Sequence, residues 1–483
     1  MERRLAGLAP AALWGYFEEI CGVPRPSKRE EKMTAFLVEF AGKRGLEYRV
    51  DEVGNVVIRK PATGGRESAP VVVLQAHVDM VCEQDGEGHD FDRDPIIPVV
   101  NGEWIAAAGG TTLGADDGIG VAACLAVLSA DDIHHGPLEC LFTVDEESGM
   151  TGAFALRPDF LQGRMLLNLD SEDEGELFIG CAGGIDTTIR LDGHNAPVPQ
   201  GYIAARAEVS GLLGGHSGDD INKGRGNAIK ILSHLLWKLN NAHGARVATI
   251  EGGDKRNAIP RAARAVITFD KQCLHPIVAA FNAYAVEMKE TWIAEPGISL
   301  TLDTVETPGT ALDGPSTATL LNALQACPHG VLAMSCRVPG LVETSTNLAS
   351  VRFEDEGRAL IATSQRSDVN SEKMNAADAL DALFRLAGAR VWHNDGYPGW
   401  TPDAGSALLQ VMIDSHERLF GKKPVVRSIH AGLECGLFLE KYPDMKMVSF
   451  GPTLRDVHSP RERVHAGSVE RWWRHLVDIL ETI

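Results

Sequence analysis

Five side chains of metal-ligating type, His77, Asp116, Glu147, Asp170 and His458, each stand at or just past a segment that reads as a strand or helix end. Each has its own local signature: HVD (77–79), GADDGIG (114–120), DEESG (145–149), LNLDSE (167–172) and GPTLRDVHSP (451–460). Two imidazoles and three carboxylates are too few for two separate mononuclear sites. They are the right number for two divalent cations sharing one bridging carboxylate, an arrangement that makes hydroxide near neutral pH for hydrolysis.

His77 and Asp79 are one residue apart, so on extended backbone their side chains leave the same face. If His77 binds a metal, Asp79 can hold the other ring nitrogen and raise its basicity. By itself, HVD is short enough to be an ordinary turn. Asp116 and Asp117 follow a glycine turn and open a helix, where carboxylates also serve as simple caps. The three glycines of GADDGIG suggest close backbone approach instead. We take Asp116 as the bridging carboxylate, with Asp117 turned away. Glu146 and Glu147 are adjacent acids after a mostly apolar strand; one can bind metal while the other works as general acid and base. Asp170 heads an acidic run (Ser171–Glu174) of which only Asp170 sits at the strand boundary. His458 lies in a Gly- and Pro-flanked loop, and it is one of sixteen histidines.

The elements that must position these groups can be read from hydrophobic patterning. Apolar runs at Val71–Leu74, Leu138–Val144, Met165–Leu169 and Met445–Phe450 are near-continuous, as in strands covered on both faces. Ligands at the carboxyl ends of such strands are where open α/β sheets place their sites. Leu13, Trp14, Phe17 and Ile20 share one face of an N-terminal helix. Ser27 and Glu30 have capping-box spacing before a second helix that stops at Gly45. Residues 47–59 read as a hairpin about Gly54-Asn55, and a helix covers Gly118–Leu128.

From about Gly183 the texture changes to strand-like segments (Tyr202–Val209, Ala265–Phe269, Ile298–Leu302, Leu360–Thr363) and helices such as Ala228–Leu239. No further metal-type cluster occurs there. The expected fold is α/β: a mixed, mostly parallel sheet with helices on both faces, forming a catalytic domain from 1–186 and 398–483. An α+β lid and dimerisation domain (187–397) is inserted between flexible joints near 185 and 398.

A chain of 483 residues with 44% apolar content supports at least two cores. Its net charge of −20 argues against a nucleic-acid partner, whose phosphates need a basic footprint. Nine cysteines without a CxxC read as free thiols in a reducing compartment. Neither a secretory signal nor a membrane-length apolar stretch is evident, so a cytoplasmic protein without a membrane partner is expected.

Taken together, HVD, GADDGIG, DEESG, Asp170 and His458 resemble the co-catalytic zinc peptidase family of carnosinases, aminoacylases and tripeptidases. The segments VGNVVIRKPAT (53–63), VLQAHVDMV (73–81), GTTLGADDGIG (110–120), GCAGGID (180–186) and HAGLECGLF (430–438) resemble its aminoacyl-histidine dipeptidase branch. The resemblance implies that His77 and Asp170 hold one metal, Glu147 and His458 the other, and Asp116 bridges them. Zinc is the expected ion, with cobalt or manganese as alternatives. Glu146 would be the general base, Asp79 would orient His77, and a cis peptide would join Asp116 to Asp117. In the inserted domain, His216 of GGHSG would steady the oxyanion in the partner subunit's site. Asn257 of KRNAIP would contact substrate, and Arg366 of SQRSD would clamp a terminal carboxylate. The implied activity is hydrolysis of Xaa-His dipeptides such as carnosine by a homodimer paired through the inserted domain. An acyl-amino-acid deacylase or tripeptidase, a non-catalytic binding protein on this fold and a single structural metal are the competing readings.

Overall fold

The computed structural model describes residues 4–355 and 357–483. They form two compact units: Met1–Gly180 with Trp400–Ser428 and Leu433–Ile483, and Cys181–Gly399 with Ile429–Gly432.

The first unit is built on an eight-stranded mixed sheet. Its order is Glu47–Val50, Val56–Lys60, Leu138–Thr143, Val72–His77, Met165–Asn168, Lys446–Ser449, Glu176–Cys181 and Val425–Ile429. The central four strands run parallel, and the pairs at Glu47–Lys60 and Val56–Thr143 are antiparallel. Every residue of Val72–His77 and of Leu138–Thr143 is buried, so alternate side chains are covered on both faces of the sheet. This is the physical origin of the unbroken apolar runs. Helices Ala11–Cys21, Glu31–Arg44, Ala115–Ser129, Ala407–Phe420 and Ala466–Thr482 contribute to the same core.

In the first helix Leu13, Trp14, Phe17 and Ile20 are all buried. The second begins at Glu31 and ends at Gly45, whose φ of 64° closes it in the left-handed region. The capping box expected from Ser27 and Glu30 does not form. The Ser27 hydroxyl donates to Asp79 instead, and Glu30 accepts from the backbone of Lys28 and Asp145. The buried Asp79 carboxylate takes the Ser27 hydroxyl, and two backbone N–H groups take Glu30, so neither serves the helix end.

A small antiparallel sheet pairs Leu454–Arg455 with Arg463–His465, and the latter with Trp104–Ala107. His458 therefore sits in a hairpin loop, itself at φ 57° with Asp456 at 56°. Side chains with a Cβ enter this region at a cost of about 1–2 kcal/mol.

The second unit carries a nine-stranded sheet whose described pairings are antiparallel, ordered Ser299–Val305, Tyr202–Ser210, Ala263–Asp270, Arg246–Gly252, Val342–Asp355, Arg358–Ser367, Gly183–Asp192 and Arg390–His393. The strand Gly330–Met334 pairs with Val342–Asp355. Helices Ala228–His243, Leu274–Thr291, Gly314–Ala326 and Asn370–Leu386 pack into its core.

One buried base makes the first unit's stability sensitive to acid. His475, 3% exposed, lies 2.9 Å from the Met412 carbonyl through Nε2 and packs edge-on against Phe450. Burial lowers its pKa to about 4. The unfolded chain then holds one more proton than the native chain between about pH 6.5 and 4. Stability from neutral His475 is complete above pH 6.5 and is lost as pH falls toward 4. Urea denaturation across this range should show a shallower acid slope in His475→Gln, by up to one proton.

Candidate metal centre

The five residues converge at the carboxyl ends of the central parallel strands. His77 closes Val72–His77, Asp170 follows Met165–Asn168, and Glu147 lies in a single helical turn, Glu146–Gly149, after Leu138–Thr143. That turn is bracketed by two left-handed residues, Asp145 (φ 53°) and Met150 (φ 51°). Strain of this kind aims side chains at functional sites.

Asp116 lies at the middle. Its Oδ1 is 3.1 Å from His77 Nε2, and its Oδ2 is 3.2 Å from His458 Nε2. Asp170 Oδ1 is 3.6 Å from His77 Nε2, and Glu147 Oε2 is 3.0 Å from His458 Nε2. His77 is 1% exposed, while His458 is half exposed on its loop. The peptide between Asp116 and Asp117 is cis.

Asp79, fully buried, anchors this arrangement. Its Oδ1 lies 3.4 Å from His77 Nδ1 and accepts from the Glu146 N–H (3.0 Å). Its Oδ2 accepts from the Glu147 N–H (3.2 Å) and the Ser27 hydroxyl (2.8 Å). One carboxylate thus sets the His77 ring and the entry of both glutamates.

Charge in this pocket is crowded. Burial pushes the Glu146 carboxyl well up, with Asp170, Glu434 and Glu147 adding repulsion. Burial also raises Asp170, aided by Asp116. For Asp116, burial acts upward, but hydrogen bonds from His458 and His77 outweigh it and hold the carboxyl well below the usual range. Hydrogen bonds to Asp116 and Glu147 raise the His458 imidazole to about 11. The acids draw positive charge strongly enough to load the ring nitrogens with protons. A divalent cation competes for the same lone pairs and would relieve the same repulsion. His77, Asp116 and Glu147 each offer a ligand atom within 4.8 Å of the others, a nitrogen and oxygen set suited to zinc, cobalt or manganese. A second acidic group, Glu30, Asp79 and Asp145, is equally tight. There the carboxylates are occupied by donors: Lys28 N–H on Glu30, the Ser148 and Thr151 hydroxyls on Asp145.

The glycines of GADDGIG have a concrete cause. A Cβ on Gly114 or Gly118 would come within 2.5 or 2.7 Å of the Arg25 guanidinium, and one on Gly120 within 2.4 Å of Asp117 Oδ1. Asp117 turns into its own helix, where it accepts from the Gly120 N–H. Arg25 donates to the carbonyls of Val78, Asp79 and Gly114. Sequence reasoning missed Arg25, hidden in the Pro-rich turn 23–27. Glu434 lies in the HAGLECGLF segment singled out from sequence, without a role assigned there; its Oε2 accepts from Gln75 and Thr143, both 2.7 Å away.

In the second unit, the three residues singled out from sequence gather together. His216 pairs with Ala258 across a two-residue bridge, and the Ser217 N–H donates to the Asn257 carbonyl. Arg366 is 7% exposed, donates to Tyr397 Oη (2.9 Å) and reaches the Ser217 hydroxyl. His430, which opens the HAGLECGLF segment, bonds Ser345 (2.8 Å). Burial lowers its pKa to about 4, with Arg366 and His216 contributing. Its neutral ring is suited to lie beside the Arg366 guanidinium.

Gly114→Ala should destabilise the first unit by about 1–3 kcal/mol. The residue needs φ 68°, and the added methyl would displace both Arg25 and Met80. Chemical denaturation of the purified variant measures the loss; an unchanged midpoint would contradict this account of the glycine.

The comparisons with known proteins agree with the architecture. Residues 73–482 match the model of Peptidase family M20/M25/M40. The chain is 44% identical over 484 aligned positions to the cytosol non-specific dipeptidase of Escherichia coli (strain K12), covering 99% of both. The crystal structure of aminoacylhistidine dipeptidase from Vibrio alginolyticus superposes with a TM-score of 0.93 at 43% identity, covering 99% of this chain and 98% of that one. An aminopeptidase from Bacillus cereus ATCC 10987 shares the fold, with a TM-score of 0.58 at 18% identity over 98% of each chain. With strand order, clustered acids and imidazoles and the full-length matches all in agreement, this chain belongs to peptidase family M20/M25/M40.

Proposed function

We propose that the protein is a metal-dependent dipeptidase whose substrates include Xaa-His dipeptides such as carnosine. The observation that carries this reading is the two-sided engagement of Asp116, with one oxygen toward His77 and the other toward His458. His77 and Asp170 would hold one divalent cation, Glu147 and His458 a second, with Asp116 shared. Zinc is the first candidate, with cobalt and manganese as alternatives. Such a pair supplies Lewis acidity toward the scissile carbonyl and lowers the pKa of water.

The chain's own groups do the rest. Asp79 keeps His77 in one orientation through Nδ1. The Glu146 carboxylate takes a proton from the attacking water and delivers it to the leaving amine. Its upward-shifted pKa suits a group that must hold that proton for part of the cycle. Arg366 would take the dipeptide's terminal carboxylate, Asn257 would contact substrate, and His216 would stabilise the developing oxyanion in a partner subunit. The names of the Escherichia coli and Vibrio alginolyticus relatives support a dipeptide substrate, and the word "non-specific" in the former favours a broad panel.

The name of the Escherichia coli relative also supports a cytosolic location. No helix among the described residues is long and apolar enough to cross a membrane. The family resemblance supports a homodimer through the inserted unit, which sedimentation would measure. An acyl-amino-acid deacylase or tripeptidase remains the competing activity.

Glu146→Gln should lower kcat by about 10²–10⁴-fold while two cations per chain remain by elemental analysis. Activity near the parent's would remove Glu146 from the proton-transfer role. On a panel of carnosine, other Xaa-His and unrelated dipeptides, tripeptides and acyl amino acids, dipeptides should be cleaved fastest. Chelation should abolish that activity and added zinc restore it. Preference for acyl amino acids or tripeptides would transfer the assignment to the competing activity.

A further inference from the structure

A buried carboxylate four residues beyond His458 holds the loop that presents Asp116. Glu462 is 2% exposed. Its Oε2 accepts from the N–H groups of Leu113 (2.7 Å) and Gly114 (2.8 Å). Its Oε1 accepts from those of Ala115 (2.7 Å) and Asp116 (3.1 Å). Four consecutive backbone donors converge on one anion at the start of helix Ala115–Ser129, a concave nest of N–H dipoles completed by a side chain of the protein itself. These are charge-assisted bonds in a buried setting, the strong and directional kind. On the carbonyl side of the same loop, the Arg25 guanidinium donates to Gly114 (2.6 Å) and also to Val78 and Asp79, just beyond His77. The 113–116 backbone is therefore gripped through its N–H groups by the His458 loop and through a carbonyl by Arg25.

The site's geometry gives this grip its significance. Asp116 faces one imidazole from the sheet and another from the hairpin loop, 342 residues apart from it in the latter case. Its two oxygens serve both only if the two loops keep a fixed separation. Glu462 is the direct link between them, bonding the Asp116 N–H itself and lying on the loop that carries His458.

We propose that Glu462 is a positioning residue of the metal centre, which sets the bridging carboxylate against His458 and so fixes the affinity of the His458–Glu147 half for its cation. This inference rests on the two-cation reading of the site. Glutamine at this position is nearly isosteric but has a single acceptor oxygen, and its NH₂ would face N–H donors. Two of the four backbone donors then lose their partner while the shape of the core is retained.

The test is zinc binding by chelator competition on Glu462→Gln, with amide hydrogen exchange of 113–116 in the metal-free protein. The expected result is loss of protection at these amides and a 10–100-fold weakening of one of the two cations, the range common for groups that orient ligands. The other cation should stay near the parent's affinity. A purely structural carboxylate would lower thermal stability and leave both affinities unchanged, and that result overturns the proposal. If Glu462→Gln does not fold, Glu462→Asp keeps both oxygens on a shorter arm. It should show the same selective weakening, and parent-like affinities in it overturn the proposal equally. A parent protein that binds fewer than two cations overturns the two-cation reading and the role given to Glu462 with it. Protected 113–116 amides in that protein would identify the metal assignment, and not the clamp, as the error.

Discussion

Mutual repulsion among half-buried acids is the constraint around which the first unit is arranged. Asp116, Asp170, Glu146 and Glu147 share a space with two imidazoles, and burial strips them of the water that would screen their charges. Such a group persists in a folded chain only when positive charge and directed donors hold it. The surrounding structure supplies the donors. Asp79 is saturated by Ser27 and two backbone N–H groups, and Glu462 by four. The imidazoles face the remaining oxygens, where protons and divalent cations compete for the same nitrogens.

Rigid backbone around the pocket follows from that crowding. Left-handed residues bracket the Glu146–Gly149 turn and place His458 on its loop. Arg25, buried among glycines that leave it room, ties the end of the His77 strand to the Asp116 loop. Each of these features is locally unfavourable: a strained φ, a buried guanidinium, a glycine-rich helix start. They are tolerated because neighbouring hydrogen bonds overdetermine them.

Much of this was legible in the sequence, for identifiable reasons. Strands buried on both faces leave continuous apolar runs, so Val72–His77 and Leu138–Thr143 and the acids at their ends stood out. Asp170 and His458 were singled out as chemistry-bearing residues that follow such runs. What escaped were side chains that act through backbone. Glu462 in HSPRE looks like any surface glutamate, since its partners are N–H groups that carry no residue identity. Arg25 sits in a Pro-rich turn far in sequence from the groups it binds, and Ser27 was read as a helix cap because its true partner, Asp79, lies 52 residues away. The glycines of GADDGIG signalled close approach, but which group approached could be learned only from the fold. Tyr397 was likewise silent, an ordinary residue brought beside Arg366 by tertiary pairing, and for His430 the segment was visible but not its partner Ser345.

The strand Lys446–Ser449 lies between Met165–Asn168 and Glu176–Cys181, in the interior of a sheet whose other central members come from the first 170 residues. On a ribosome, that slot stays vacant while more than half of the polypeptide is synthesised, including nearly all of the second unit. The early strands must wait with an unpaired edge, and His458 and Glu462 emerge long after Asp170. The cluster is thus assembled late, and a translation product interrupted before Lys446 would carry His77, Asp116, Glu147 and Asp170, four of its five residues, without the strand and loop that close it.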